Sequence, residues 1–445
     1  MRKIALLIVA LATLSSCGLY KKFEKPVFED IGETDSLSVI SWKEMFTDPA
    51  LQALIDTALE NNIDIKTAHL RLDQARESLR SARAAWWPSV SVNAAAGVPN
   101  NTPLDASPET YLSLGARADW QLDIFATRLN AGRKAAAAAE RSEAYARAVR
   151  TDLIASVAQS YYTLASLDEQ LRINEEAANT WESTIRVLSS LKAAGKTNEV
   201  AVLQAEARKL RIQSSVVALR RAVNASENAL NLLLGRGLVS IARDSLGSAS
   251  FPEDFLSSIP LGTIASRPDV RSAEFALAEA CYDVKVARSA LYPSVSLSGT
   301  LGWNSSTGRI SEPSAWIWNA LASLGQPVFA ARANRSRLEI ARSEAEIAKL
   351  QYRQTLLKAG NEVNDAIAAC QAAKERIELD SKQQEALQKV VERIELLMKY
   401  STTTYLEVLT AQQSFLDAEL SLVAGKKDLV DAYIALYRAV GGGAF

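Results

Sequence analysis

Few side chains in this 445-residue sequence are of a type and spacing that could do chemistry. His69 is the one histidine. It lies within an amphipathic helical pattern, and no cluster of Cys, His and carboxylates surrounds it at ligand spacing, so no metal site is expected. Leu234-Gly235-Arg236-Gly237 lacks the Lys-Ser/Thr element of a phosphate loop and reads as a helix C-cap. Neither a nucleophile motif nor a paired acid–base constellation stands out, so catalytic residues, cofactors and enzyme activity are not expected. Cys281 and Cys370 fall in alanine-rich helical patterns and read as small core residues, with a disulfide between them left open in an oxidising compartment. Basic and acidic residues number 50 and 51, which leaves no strongly basic face for nucleic acid.

Cys17 is different. Arg2 and Lys3 precede an apolar run from Ile4 to Leu14, and Ser15-Ser16-Cys17-Gly18 follows. The run is too short to cross a bilayer as a stable helix, so residues 1–16 read as an export signal. Leu14-Ser15-Ser16-Cys17 resembles the lipobox of bacterial lipoproteins, which implies cleavage before Cys17 and lipid on its sulfur and amino group. Several acyl chains would anchor the mature N-terminus stably. Gly18, in place of an inner-membrane-retaining aspartate, points to the outer membrane.

The elements behind this anchor come as a tandem repeat of one long unit. SARAAWWPSVSV is answered about 205 residues later by VARSALYPSVSL. Upstream, Asn62–Ala75 aligns with Arg267–Ala280, pairing Asp64 with Asp269. Downstream, Phe125, Arg128 and Asn130 answer Phe329, Arg332 and Asn334. LLLGRG (Leu232 to Gly237) answers YRAVGGG (Tyr437 to Gly443). After a lipidated leader at 17–47, expected to run extended, the first unit has helices at 48–87 and 123–234 around a β-hairpin at 88–122. A linker covers 235–265. The second unit has helices at 266–291 and 328–440 around a hairpin at 292–327, and 441–445 is a tail. Helical spacing is carried by Leu51, Leu54, Ile55, Ala58, and later by Leu153, Val157, Tyr161 and Leu164. A helix of some 65 residues would reach nearly 100 Å, so its apolar stripe demands the return helix as a partner. Breaks at Gly195-Lys196 and Ser401–Thr404 turn each long helix into an antiparallel hairpin.

Long helices alone would suit a coiled-coil rod. The inserts do not. Val90, Val92, Ala94 and Ala96 alternate with Ser89, Ser91 and Asn93; Leu112 to Leu122 and Val295 to Trp303 alternate likewise, whereas 314–326 does so less cleanly. Period two with one apolar and one polar face, near ten residues long, suits a tilted membrane crossing. Trp303, Trp316 and Trp318 stand near strand ends, where rings favour the headgroup level. Open edges are forbidden in lipid and four strands cannot enclose a channel, so several chains must close one barrel. Arg128, Arg133, Arg332 and Arg335, just past the second and fourth strands, read as solvated helix starts or as contacts to anionic headgroups.

The paired WPSVSV and YPSVSL strand starts, SRPDV at Ser266–Val270, the two hairpins and YLEVLTAQQ (Tyr405 to Gln413) resemble TolC-like outer-membrane efflux proteins, lipoprotein branch. The resemblance covers essentially all of the mature chain. It implies a mostly α fold, a homotrimer with a twelve-stranded β-barrel continuing into a periplasmic α-barrel, and an equatorial belt around 235–265. It further implies a passive exit duct for small molecules, embedded in outer-membrane lipid, working with a periplasmic adaptor and an inner-membrane efflux pump. A duct for secreted proteins and a coiled-coil lipoprotein without a pore are the alternatives. The turns would form the periplasmic end, with adaptor contacts at Gly195, Lys196 and Ser401. In relatives an aspartate ring narrows the tunnel near the second turn; the aligned position here is Thr403, between Thr402 and Thr404. Those threonines, with Glu199 in the first turn, are the candidate gate, and Leu396 or Lys399 the alternative constriction.

Overall fold

The computed structural model describes residues 17–26, 41–97, 111–248, 251–252, 261–305, 315–326, 332–399 and 404–442. In chain order the elements are α1 (Cys17–Tyr20), α2 (Trp42–Met45), α3 (Pro49–Asn61), α4 (Ile63–Ala84), β1 (Ser89–Gly97), β2 (Tyr111–Leu122), α5 (Thr127–Ala193) and α6 (Glu199–Leu233). Short 3₁₀ turns at Leu246–Ser248 and Leu261–Ser266 precede α7 (Pro268–Ser289), β3 (Ser294–Ser305), β4 (Ala315–Gly325), α8 (Ala333–Lys399) and α9 (Tyr405–Ala439). The repeat is kept to the residue: α4 and α7 have 22 residues each, α5 and α8 have 67, α6 and α9 have 35.

Helix boundaries follow local chemistry. Asp48 caps α3 by accepting the Ala50 and Leu51 N–H groups at 2.8 and 3.3 Å, with Pro49 at the first helical position. The long helix α5 starts at Thr127 rather than at 123. Ala126 sits at φ +56°, outside the helix, and the Asp123 carboxylate accepts the Arg128 and Leu129 N–H groups at 3.0 and 2.8 Å. The leader departs from the extended expectation at two short stretches. Residues 17–20 form a helical turn, and Trp42–Met45 form another because Ser41 and Glu44 make a capping box.

The chain divides into two compact units. One holds residues 1–28, 70–144 and 271–354, including the whole sheet. Its strands run in the order β1-β2-β3-β4, all antiparallel, which leaves β1 and β4 as the edges. The other unit holds 29–69, 145–270 and 355–445. Its core gathers Phe46, Leu51, Ile55, Tyr161, Leu164, Leu230 and Tyr437, all fully or almost fully buried, with Phe46 edge-on to Tyr437 at 5.5 Å.

Within that unit the two repeats end alike. Gly235 and Gly441 take φ +63° and +97° as C′ residues of Schellman motifs, closed by Arg236 N–H to Asn231 O at 3.2 Å and Gly442 N–H to Tyr437 O at 2.9 Å. Each return helix is then tied to the start of its own repeat. Asn62 Nδ2 donates to Leu233 O at 2.9 Å, and the aligned Arg267 donates through Nη1 to Ala439 O at 2.8 Å. A Cβ on Gly235 would stand 2.7 Å from Asn61 O, so this junction demands glycine for space as well as for φ.

Candidate functional site: a two-faced sheet, the helix turns and the leader

The register sorts the strands into two faces. Val92–Ala116–Leu301–Trp318 is one cross-strand row, and Ala94–Leu114–Trp303–Trp316 is the next. The opposite face carries Ser91–Arg117–Thr300–Asn319 and Ser89–Asp119–Ser298–Leu321. Pairing like with like across β1, β2 and β3 is what fixes the register, since a slip by one residue would exchange the faces. The weaker alternation of β4 now has a cause: Ile317 and Leu321 lie on the polar face, opposite Gly302 and Ser298. Trp316 and Trp318 are 71% and 77% exposed in the single chain, so the apolar face is built to meet something other than water. Twelve residues of β2 extend about 40 Å, and a tilt near 45° reduces this to roughly the 30 Å of a hydrocarbon core.

The polar face holds one ion pair among the described strand residues. Arg117 donates through Nε and Nη2 to the Asp119 carboxylate at 2.7 and 2.9 Å, two residues along the same strand. At the helical end of the sheet, Trp120 Nε1 donates to Trp86 O at 2.9 Å, and Phe125 stacks on Tyr292 with centroids 4.9 Å apart. Trp303 faces Trp316 toward the other end. Aromatic rings therefore mark both ends of the apolar face.

At the turns, Gly195 takes φ +72°, and Lys196 N–H closes a Schellman motif on Leu191 O at 2.9 Å. Asn198 caps α6 through Ala201 N–H at 3.2 Å, and Glu199 is 3.1 Å from Lys192 Nζ. The candidate gate residues Thr402 and Thr403, and the tip residue Ser401, lie outside the described residues. Thr404 is the N-cap of α9, its N–H 3.4 Å from Glu407 Oε2. Both carboxylates nearest the turns thus have partners.

Cys17 is the first residue of α1. The segment behind it is held mainly through its main chain. Asn130 Nδ2 donates to Leu19 O at 2.9 Å; Arg133 Nη1 donates to Tyr20 O and Lys21 O at 3.0 and 3.3 Å; Lys285 Nζ donates to Lys21 O at 2.6 Å. Tyr20 returns a hydroxyl to Ile124 O at 2.7 Å, the Tyr282 hydroxyl accepts Phe23 N–H at 3.1 Å, and Lys25 pairs with the buried Glu274 at 3.1 Å. Arg133, read from sequence as a helix-start cation, is a leader clamp. The sequence signal was there in part: Asn130 has Asn334 at the matching repeat position, and Asn334 also donates to a carbonyl, Ala290 O at 3.3 Å.

Elsewhere the ionisable groups serve structure. Arg267, 6% exposed, reaches Asp269 at 2.8 Å and Glu362 at 2.7 Å beside a cavity of about 760 Å³. Burial opposes ionisation of Asp269, but Arg267 outweighs it and the carboxyl titrates below its ordinary value. Cys281 and Cys370 are free thiols, and burial pushes Cys370 up to about 11. His69 is exposed, and no metal-binding group of three His, Cys, Asp or Glu occurs among the described residues.

A family model described as outer membrane efflux protein matches residues 54–236 and 262–442, one segment per repeat. The cation efflux system protein CusC of Escherichia coli O157:H7 is 29% identical over 462 residues, covering 98% of this chain and 97% of that protein. The probable outer membrane lipoprotein SilC of Salmonella typhimurium is 28% identical over 419 residues, covering 90% and 88%. A crystal structure of CusC superimposes with a TM-score of 0.87 at 26% identity, covering 95% of this chain and 99% of that one.

Proposed function

We infer, from the premise that this chain belongs to the outer membrane efflux protein family, that it is the exit duct of a tripartite efflux system, passively releasing small molecules across the outer membrane. The sheet carries this reading. A two-faced, four-stranded sheet with unpaired edges at β1 and β4 cannot sit in lipid, and closure with further copies removes both edges. Three copies give twelve strands, the barrel the family resemblance implies. The polar face with Arg117, Asp119 and the serines then lines the lumen, and the apolar face meets acyl chains.

Cys17 carries the lipid anchor in this reading, in keeping with the lipoprotein name of SilC. An inner-membrane pump supplies the energy, and a periplasmic adaptor engages the turns at Gly195-Lys196 and Ser401. The gate residues in this reading are Thr402, Thr403 and Thr404 of the second turn and Glu199 of the first, and the tunnel opens when the adaptor spreads the tips. Single-channel recording of the purified protein in planar bilayers tests the duct, and absence of discrete conductance steps removes it. Thr403→Trp should lower conductance with no change in trimer yield; unchanged conductance moves the gate away from this turn.

A further inference from the structure

The leader and the helices beside it gather positive charge at one place. Lys21 and Lys22 are exposed, Lys285 and Arg133 converge on the Lys21 carbonyl, and Arg288 Nη1 lies 3.6 Å from where a Cβ on Gly18 would stand. Five cations therefore surround the residues just after Cys17. Burial and the neighbouring charges of Arg133 and Lys21 together lower the Lys285 pKa, opposed by Glu24 and the Cys281 thiol. The other nearby carboxylates are committed: Asp283 to Lys134 at 2.7 Å, Glu279 to Arg141 at 2.9 Å, and Asp123 to the two N–H groups that open α5. Among the described residues no carboxylate lies at ion-pair distance from Lys21, Lys22, Lys285 or Arg288.

The height of this cluster names its counter-ion. Ile124, which accepts the Tyr20 hydroxyl, is two residues beyond the end of β2, and Arg288 is six residues before the start of β3. The cations thus stand just beyond the helical end of the membrane-crossing strands, within side-chain reach of the headgroup layer. The exposed rings of Trp86, Trp87 and Tyr20 accompany them, as interfacial aromatics do. We propose that Lys21, Lys22, Lys285, Arg133 and Arg288 form a binding site for the phosphate of an anionic phospholipid in the periplasmic leaflet. The lipid would neutralise the cluster and lock the leader onto α5 and α7 beside the anchor. The site rests on the barrel reading above, because that reading sets the headgroup level.

The test uses the purified, lipidated protein in detergent, titrated with dioleoyl phosphatidylglycerol or dioleoyl phosphatidylcholine and counted by native mass spectrometry. The variant is the triple change Lys21→Gln, Lys22→Gln and Arg288→Gln, which leaves the leader carbonyls and their donors Arg133 and Lys285 in place. Wild-type protein should retain phosphatidylglycerol over phosphatidylcholine. The variant should lose phosphatidylglycerol affinity on the order of a hundredfold, near fivefold per basic residue removed. Equal retention by variant and wild type, or no preference between the two lipids, overturns the site. Displacement of the lipid by millimolar inorganic phosphate overturns the assignment to a headgroup and leaves a free-anion site. Conductance of the same wild-type preparation reports on the barrel reading separately, so failure of the lipid site and failure of the duct are told apart.

Discussion

At Arg267 one guanidinium joins Asp269, Glu362 and the last carbonyl of α9. Arg267→Gln would leave two carboxylates crowded and a helix end untied. With both acids partly exposed, about 2–3 kcal/mol of stability should be lost, below the range for a fully buried pair. The pH dependence has a definite sign. Because Asp269 titrates below its ordinary value when folded, its contribution is complete above about pH 4 and is lost as pH falls through the folded pKa. The gap in melting temperature between wild type and variant should therefore be widest near neutrality and narrow below about pH 4; a constant gap would mean that the ion pair is not its source. Arg117 and Asp119 make a second residue-scale case. Paired, they add no net charge to the polar face, which lines the lumen in the proposed barrel. Asp119→Asn should shift the reversal potential at low salt toward anion preference and Arg117→Gln toward cations, with the double change close to wild type. The sequence displayed these residues as alternating polar positions. It did not reveal their bond, because the two side chains meet only once the strand is extended.

Among the elements, the strands were legible because period two survives in β1, β2 and β3, and the helices because the repeat supplied each pattern twice. β4 was blurred by Ile317 and Leu321 on the polar face. The first unit's long helix begins four residues later than 123 because a positive φ at Ala126 leaves no signature in an alanine. The faces make a direct prediction. Leu301→Arg lies in a row with Ala116 and Trp318, near mid-strand, and should cost roughly 2–4 kcal/mol of folding in lipid vesicles. Ser298→Arg, opposite Asp119, should fold within about 1 kcal/mol of wild type. Equal damage from both would mean that the apolar face is not the lipid face.

For the whole molecule, the duplication was readable from the sequence, down to the matched glycines at 235 and 441. The docking of the leader was not. Its partners bind main-chain oxygens, which every residue possesses, so apart from the Asn130–Asn334 match on the receiving side nothing in the leader's own side chains announces the contact. Asn62 and Arg267 align in the repeat, but their shared role was hidden for a related reason: an amide and a guanidinium share a task without sharing chemistry. Cys17→Ala should abolish palmitate labelling yet leave conductance measurable, since strand insertion is a separate source of membrane affinity. Labelled acyl chain on that variant would place the anchor elsewhere.

The open edges of the sheet carry a genetic consequence. A chain whose β1 and β4 need neighbours has no finished state alone, so each copy depends on the integrity of the others. A proline in the middle of β4 would spare that chain's own helices but leave it unable to pair onward. Produced together with an equal amount of intact chain, such a variant would enter most rings, and for the proposed trimer only about one in eight would be built wholly from sound copies. Damage to a single strand edge should then be dominant in a cell carrying both alleles, whereas loss of the whole chain should be recessive.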